Sequence, residues 1–158
     1  MKDVVRVKPH HLIDILTTFG GGGGESFRPH PYGHAVHLVA EQVLADPELT
    51  LEMELGADDI CAPCLHNIDG LCDDTIDTTG RPEVPPAKRQ WNLMLDRRWC
   101  DRLGLAQGDR LTARQFARRA LERAGDITDI YREMPPDGTA ERARKLRAGL
   151  ERFLAPRR

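Results

Sequence analysis

Apolar positions fall into short strand-like and helical runs, separated by glycine and proline. Val4, Val5 and Val7 give Asp3 to Val7 the β-branched bulk of a short strand. Pro9 suits a first helical turn. Leu12, Ile13, Ile15, Leu16 and Phe19 then mark the apolar side of a helix from His10 to Phe19. The glycines from Gly20 to Gly24 end that helix and read as a linker or lid, with the linker favoured. A second helix is expected from about His34 to Ala45, closed by Asp46-Pro47. Leu49, Leu51, Met53 and Leu55 alternate with Thr50, Glu52 and Glu54, the pattern of a half-buried strand.

Beyond Gly56 the pattern stops for about thirty residues. It resumes as a helix from Ala87 to Leu103, with Trp91, Met94, Leu95 and Trp99 on its apolar side and Gly104 as C-cap residue. Thr112 reads as the N-cap of a helix through Arg123. Thr139 reads as the cap of a last helix to about Leu154, apolar at Leu146, Leu150, Phe153 and Leu154, of which Leu146, Leu150 and Phe153 pack inside or form a dimer contact. The expected class is α+β: a mainly helical single domain over 1–158, with a small sheet of about two strands. It divides into a His-rich N-terminal part (1–56), a cysteine-rich metal-cluster loop (57–80) and a C-terminal helical part (87–155).

At 158 residues one domain is expected. Chains of this size bury roughly 70% of their unfolded surface, so no metal is needed merely to fold. The net charge of -2 argues against nucleic-acid binding driven by bulk electrostatics. No apolar run reaches the roughly 20 residues of a membrane span, and Met1 to Val7 has no signal-peptide core. The expectation is a cytoplasmic protein, where clustered cysteines bind metal or do chemistry more often than they form disulfides.

Three of the four cysteines, Cys61, Cys64 and Cys72, lie in one stretch, and Cys100 comes from the Trp-bearing helix. Cys61-x-x-Cys64 brings two thiols onto one tight turn, and Cys72 returns after Asp69-Gly70, a strong turn pair. Structural zinc usually takes two close pairs of ligands, and only one close pair exists here. Iron–sulfur clusters accept dispersed ligands, so a cluster of the 4Fe-4S type on Cys61, Cys64, Cys72 and Cys100 is the first expectation, with zinc as the alternative. Buried, inert cysteines are the plain reading; a thioredoxin-like use lacks its βαβ context. Ile60, Leu65, Ile68, Leu71 and Trp99 are candidates for an apolar shell. The acids Asp58, Asp59, Asp73 and Asp74, if close, would push a cluster's reduction potential down.

Five of the six histidines precede residue 40. His10, His11 and His34 are candidates for a pocket that holds a substrate and moves protons, with Asp14 spaced to orient the ring of His10 or His11. Hydrogen-bonded packing histidines are the plainer alternative.

Lys8-Pro9-His10-His11-Leu12-Ile13, followed by Gly56-Ala57-Asp58-Asp59-Ile60-Cys61-x-x-Cys64, resembles the bacterial and archaeal family of iron–sulfur proteins catalogued as domain of unknown function 1284. Its members begin with His-His-Leu-Leu, continue through a Gly-rich segment, a helix and a strand, and reach an Asp-Asp-Ile-Cys motif with further cysteines. The resemblance covers nearly the whole chain and implies an iron–sulfur protein. Many members carry a cysteine just after His-His-Leu-Leu, where this chain has Asp14, which implies different ligation here or Cys100 as a substitute.

Two functional expectations follow. One is a small iron–sulfur protein, either exchanging electrons with a redox partner protein or acting as a cluster-dependent enzyme on a small-molecule substrate. The other is a zinc-stabilised binding or regulatory module whose Arg-rich C-terminal helices contact a partner.

Overall fold

The computed structural model describes residues 2–22 and 27–157. Gly23 and Gly24 of the glycine run lie outside the described residues. The protein is α+β and mainly helical. Strand β1 (Val4–Val7) leads directly into α1 (Pro9–Gly20), with Pro9 at the first helical position. Helix α2 (Val36–Ala45) precedes β2 (Thr50–Met53). A hairpin of β3 (Asn67–Ile68) and β4 (Leu71–Cys72) carries the last of the three close cysteines. Then come α3 (Lys88–Leu103), β5 (Arg110–Thr112), α4 (Ala113–Arg123) and α5 (Pro136–Leu154).

The main sheet has three strands in the order β1-β2-β5, not two. β2 is central, parallel to β1 and antiparallel to β5. Its alternation holds: Leu51 and Met53 are buried, Thr50 and Glu52 half-buried. β5 escaped the pattern because it offers one buried apolar residue, Leu111, in three positions. The two-residue turn Asp69-Gly70 has both residues at positive φ (51° and 85°), the geometry that Asp-Gly favours in a tight hairpin.

Several ends differ from the sequence pattern. α2 starts at Val36 and not at His34, so His34 precedes the helix. Thr139 lies inside α5, which starts at Pro136 because proline is tolerated in the first turn. Thr112 does cap α4, in a capping box with Gln115. Leu146, Leu150 and Phe153 are buried within the chain. Three arginines of the helical half pair with carboxylates of the same chain: Arg98 with Glu133, Arg102 with Asp129 and Arg142 with Asp14.

α5 packs along α1 at very close range. Gly20, the last residue of α1, and Gly149 of α5 make this approach possible. A Cβ on Gly149 would run into the Leu16 carbonyl oxygen, and one on Gly20 into that of Lys145. Both obstacles are backbone, so no rotamer relieves them. Gly149→Ala is therefore expected to destabilise the protein by about 3 kcal/mol, at the upper end of overpacking costs. The check is urea unfolding, read as a lower midpoint at unchanged slope.

Candidate metal centre

The two motif regions meet at one carboxylate. Asp58, 2% exposed, accepts on Oδ2 from the Lys8 backbone N–H (2.7 Å) and from His11 Nδ1 (2.7 Å). Its Oδ1 accepts from the Cys61 N–H (3.0 Å). Asp59 completes the edge: its Oδ2 accepts from Arg6 N, its own N–H donates to Arg6 O, and Lys2 pairs with its Oδ1. The Asp-Asp pair thus occupies the open side of β1 and sets the start of the cysteine turn on it. Burial pushes the Asp58 carboxyl up, but the His11 ring and the Lys8 N–H and charge outweigh it and hold the pKa well below the carboxylate range.

His11, Asp58 and Cys61 bring one donor atom each within 4.8 Å of one another. Three N–H groups already engage Asp58, which makes it a structural acceptor before it is a ligand. Burial, with His10 beside it, lowers the His11 pKa against the pull of Asp58. A neutral ring that donates through Nδ1 leaves Nε2 as an acceptor.

Cys61, Cys64 and Cys72 line one cavity of about 280 Å³, walled by Lys8, Leu55, Leu71, Arg89, Asn92 and Leu93 among others. The turn that presents the first two is closed by Cys64 N–H to Cys61 O (2.9 Å) and Asn67 N–H to Cys64 O (3.0 Å). Cys72 pairs with Asn67 across the hairpin. Lys8 Nζ donates to Cys61 Sγ at 3.4 Å. Burial pulls the Lys8 pKa down, but Cys61 and Asp58 outweigh it and the net shift is upward. Burial, with Asp58, pushes the Cys61 thiol up to about 11, against the opposing effect of Lys8.

Among the described residues no carboxylate lines this cavity. Asp59, Asp73 and Asp74 are tied to Lys2, His66 and Lys88, and Asp58 to the N–H groups above. The acids are near in sequence, but the charges at the cavity wall are the cations Lys8 and Arg89. Of the expected apolar shell, Leu71 lines the cavity and Ile60 is buried. Leu65, Ile68 and Leu71 are 57%, 53% and 57% exposed, and Trp99 is in the core, donating to the Tyr131 hydroxyl.

Cys100 is not among the cavity's lining residues. It is 6% exposed within the apolar core, seven residues past Leu93 on α3, about 10 Å along the helix axis. Burial, with Asp96, Asp101 and Asp109, pushes its thiol up to about 11.

A second cavity, of about 540 Å³, shares a lining residue with the first. His10, His11, Asp14, Lys88, Trp91, Asn92, Tyr131 and Arg142 are among its walls, and Asn92 lines both cavities. The rings of His10 and His11 are 4.4 Å apart. His10 is held by fully buried Asp96, which accepts from both its backbone N–H (2.8 Å) and Nδ1 (2.9 Å). Burial lowers the His10 pKa, but Asp96 outweighs it and the net shift is upward. Asp96 and Asp58 thus orient the two rings, while Asp14 bonds to Arg142 (2.8 Å). His34 lines neither cavity; it stacks on His30 at 4.5 Å. His66 pairs with Asp73 at 2.7 Å and meets the Tyr32 ring edge-on.

The pattern missed Lys8, Asp96 and Asn92 as site residues. A signal existed for Asp96: it lies four residues from Asn92 and from Cys100 and three from Trp99, on the buried stripe of α3. A charge on such a stripe requires a partner.

Removing the Asp58 charge should strand its donors. Asp58→Asn is expected to lower stability at neutral pH by roughly 3 kcal/mol, at the low end for breaking a buried charged contact. The folded pKa is depressed, so this stabilisation is present above the ordinary carboxyl value of about 4 and is lost as pH falls below it. The gap between wild type and variant should therefore shrink under acid, read by chemical denaturation at pH 7 and at pH 3.

Compared with known proteins, the chain matches no family model, no curated protein and no solved structure.

Proposed function

We propose that this chain holds an iron–sulfur cluster, of the 4Fe-4S type, on Cys61, Cys64 and Cys72, and that the His10–His11 cavity beside it takes a small-molecule substrate. The observation that carries the reading is three thiols around one cavity whose wall holds a buried ammonium and no carboxylate. Spacing favours a cluster over a single ion. One tetrahedral zinc, with Zn–S of about 2.3 Å, needs its sulfurs roughly 3.8 Å apart. Among the described residues no three thiols lie within 4.8 Å of one another. The residues present fit a larger centre that spreads its ligands, as the resemblance to an iron–sulfur family also implies.

When bound, such a cluster supplies one-electron transfer or, at an iron without a protein thiolate, Lewis acidity. The chain's own residues do the rest. The raised Cys61 pKa keeps its proton until metal displaces it, so loading releases protons. Asp58 fixes the His11 ring with Nε2 free to accept a proton, and Asp96 holds His10 as a donor at the same cavity. In the electron-transfer mode a redox partner protein is the electron source or sink; the Lewis-acid mode requires none.

The alternative is a zinc-stabilised binding module. It draws on the close group of His11, Asp58 and Cys61. It is weakened by the three N–H donors on Asp58, and by the internal pairing of Arg98, Arg102 and Arg142.

The test is anaerobic purification or reconstitution, with iron, acid-labile sulfide and zinc counted per chain. The expected protein is brown, with iron and sulfide in near-equal amounts. Cys61→Ser, Cys64→Ser and Cys72→Ser should each lose most of the cluster, and Cys100→Ser should keep it. A colourless protein with one zinc and no sulfide supports the alternative and sinks the cluster.

A further inference from the structure

Lys8 is 5% exposed. Its place is fixed by its backbone, not its side chain. The N–H donates to Asp58, and the carbonyl accepts from the N–H groups of His11 and Leu12 at the start of α1. The side chain therefore enters the thiol cavity from a rigid base. Among the described residues, Cys61 Sγ is the one hydrogen-bond partner of its Nζ. The nearest buried acid, Asp58, already receives three N–H donors. The Cys61 contact leaves the buried lysine without a carboxylate as hydrogen-bond partner among the described residues, an arrangement that buried charges avoid. An anionic occupant of the cavity supplies the compensating charge.

We propose that Lys8 is the internal counter-ion of the cluster in the thiol cavity and holds its reduction potential up. This rests on the cluster reading above. Reduction adds one electron from an external one-electron donor to a centre already made negative by thiolates and sulfides. No bond need form or break. A fixed positive charge in contact with a ligand sulfur stabilises the more negative, reduced state more than the oxidised one. Hydrogen bonding to the sulfur acts in the same direction, and both are known determinants of cluster potential. The effect opposes that of Asp58, whose carboxylate lies within 4.8 Å of Cys61 without lining the cavity, where Lys8 does.

The experiment is a mediated redox titration, by visible and electron-paramagnetic-resonance spectra, of reconstituted wild type, Lys8→Met, Lys8→Gln and Lys8→Arg. All three substitutions keep the backbone bonds to Asp58, His11 and Leu12. Lys8→Met should make reduction at least tenfold less favourable, which for one electron is a drop of 59 mV or more. Lys8→Gln keeps a donor without the charge and should fall between. Lys8→Arg should stay near wild type. Should the neutral variants fail to assemble a cluster that Lys8→Arg still holds, the counter-ion role stands in its stronger form. An unchanged potential in Lys8→Met overturns the proposal. So does a Lys8→Arg that drops as far as Lys8→Met, or loses its cluster with it, since packing then explains both. Failure of the cluster reading looks different: the unmutated protein itself carries no iron or sulfide.

Discussion

The buried carboxylate of Asp58 is the contact on which the site depends. It joins two stretches some fifty residues apart, the β1–α1 corner and the cysteine turn. A lone carboxylate at this depth is strongly disfavoured. It is tolerated because three donors converge on it: one backbone N–H from each stretch and one imidazole. The same contact sets the tautomer of His11, the start of the Cys61 turn and the entry of Lys8 into the cavity. Three functional side chains therefore share one structural cause, and none can shift alone.

The secondary structure was legible where local rules act without competition. The alternation over Thr50–Met53, the Asp69-Gly70 turn and the Thr112 cap each follow from a few residues. β5 was not legible, because a three-residue edge strand is held by its partner β2 and not by its own pattern. Thr139 misled for a related reason: a good capping residue one turn inside a helix has a carbonyl of Pro135 to bond instead. In the site, the cysteine turn could be read from spacing, but the role of Cys100 could not. Its thiol belongs to the buried stripe of α3, and a sequence does not say how far along a helix a loop will reach.

Charge shows the same limit more sharply. Asp58, Asp59, Asp73 and Asp74 flank the cysteines in sequence and suggest a negative site. In space Asp59, Asp73 and Asp74 are committed to donors outside the cavity, and Lys8 and Arg89 line the wall, while Asp58 stays within 4.8 Å of Cys61 and is held by N–H groups that include those of Lys8 and Cys61. What a site feels depends on which groups face it, and a count of neighbours along the chain does not report that.

The two cavities divide the chemistry between them. One holds thiols and cations, suited to a negative centre; the other holds two imidazoles, each fixed by its own buried carboxylate. Asn92 lines both, and His11 stands within 4.8 Å of Cys61 while opening to the second cavity. If the proposed cluster served an electron carrier alone, the pair of oriented rings lining the second cavity would have no use. Two adjacent rings whose pKa values are pushed in opposite directions, upward for His10 by Asp96 and downward for His11 by burial, make a donor next to an acceptor. Opposed shifts of this kind separate acid and base roles in catalytic sites. On the proposed reading, that asymmetry, with His11 within 4.8 Å of Cys61, suits electron transfer coupled to proton movement on a bound molecule better than electron transfer alone.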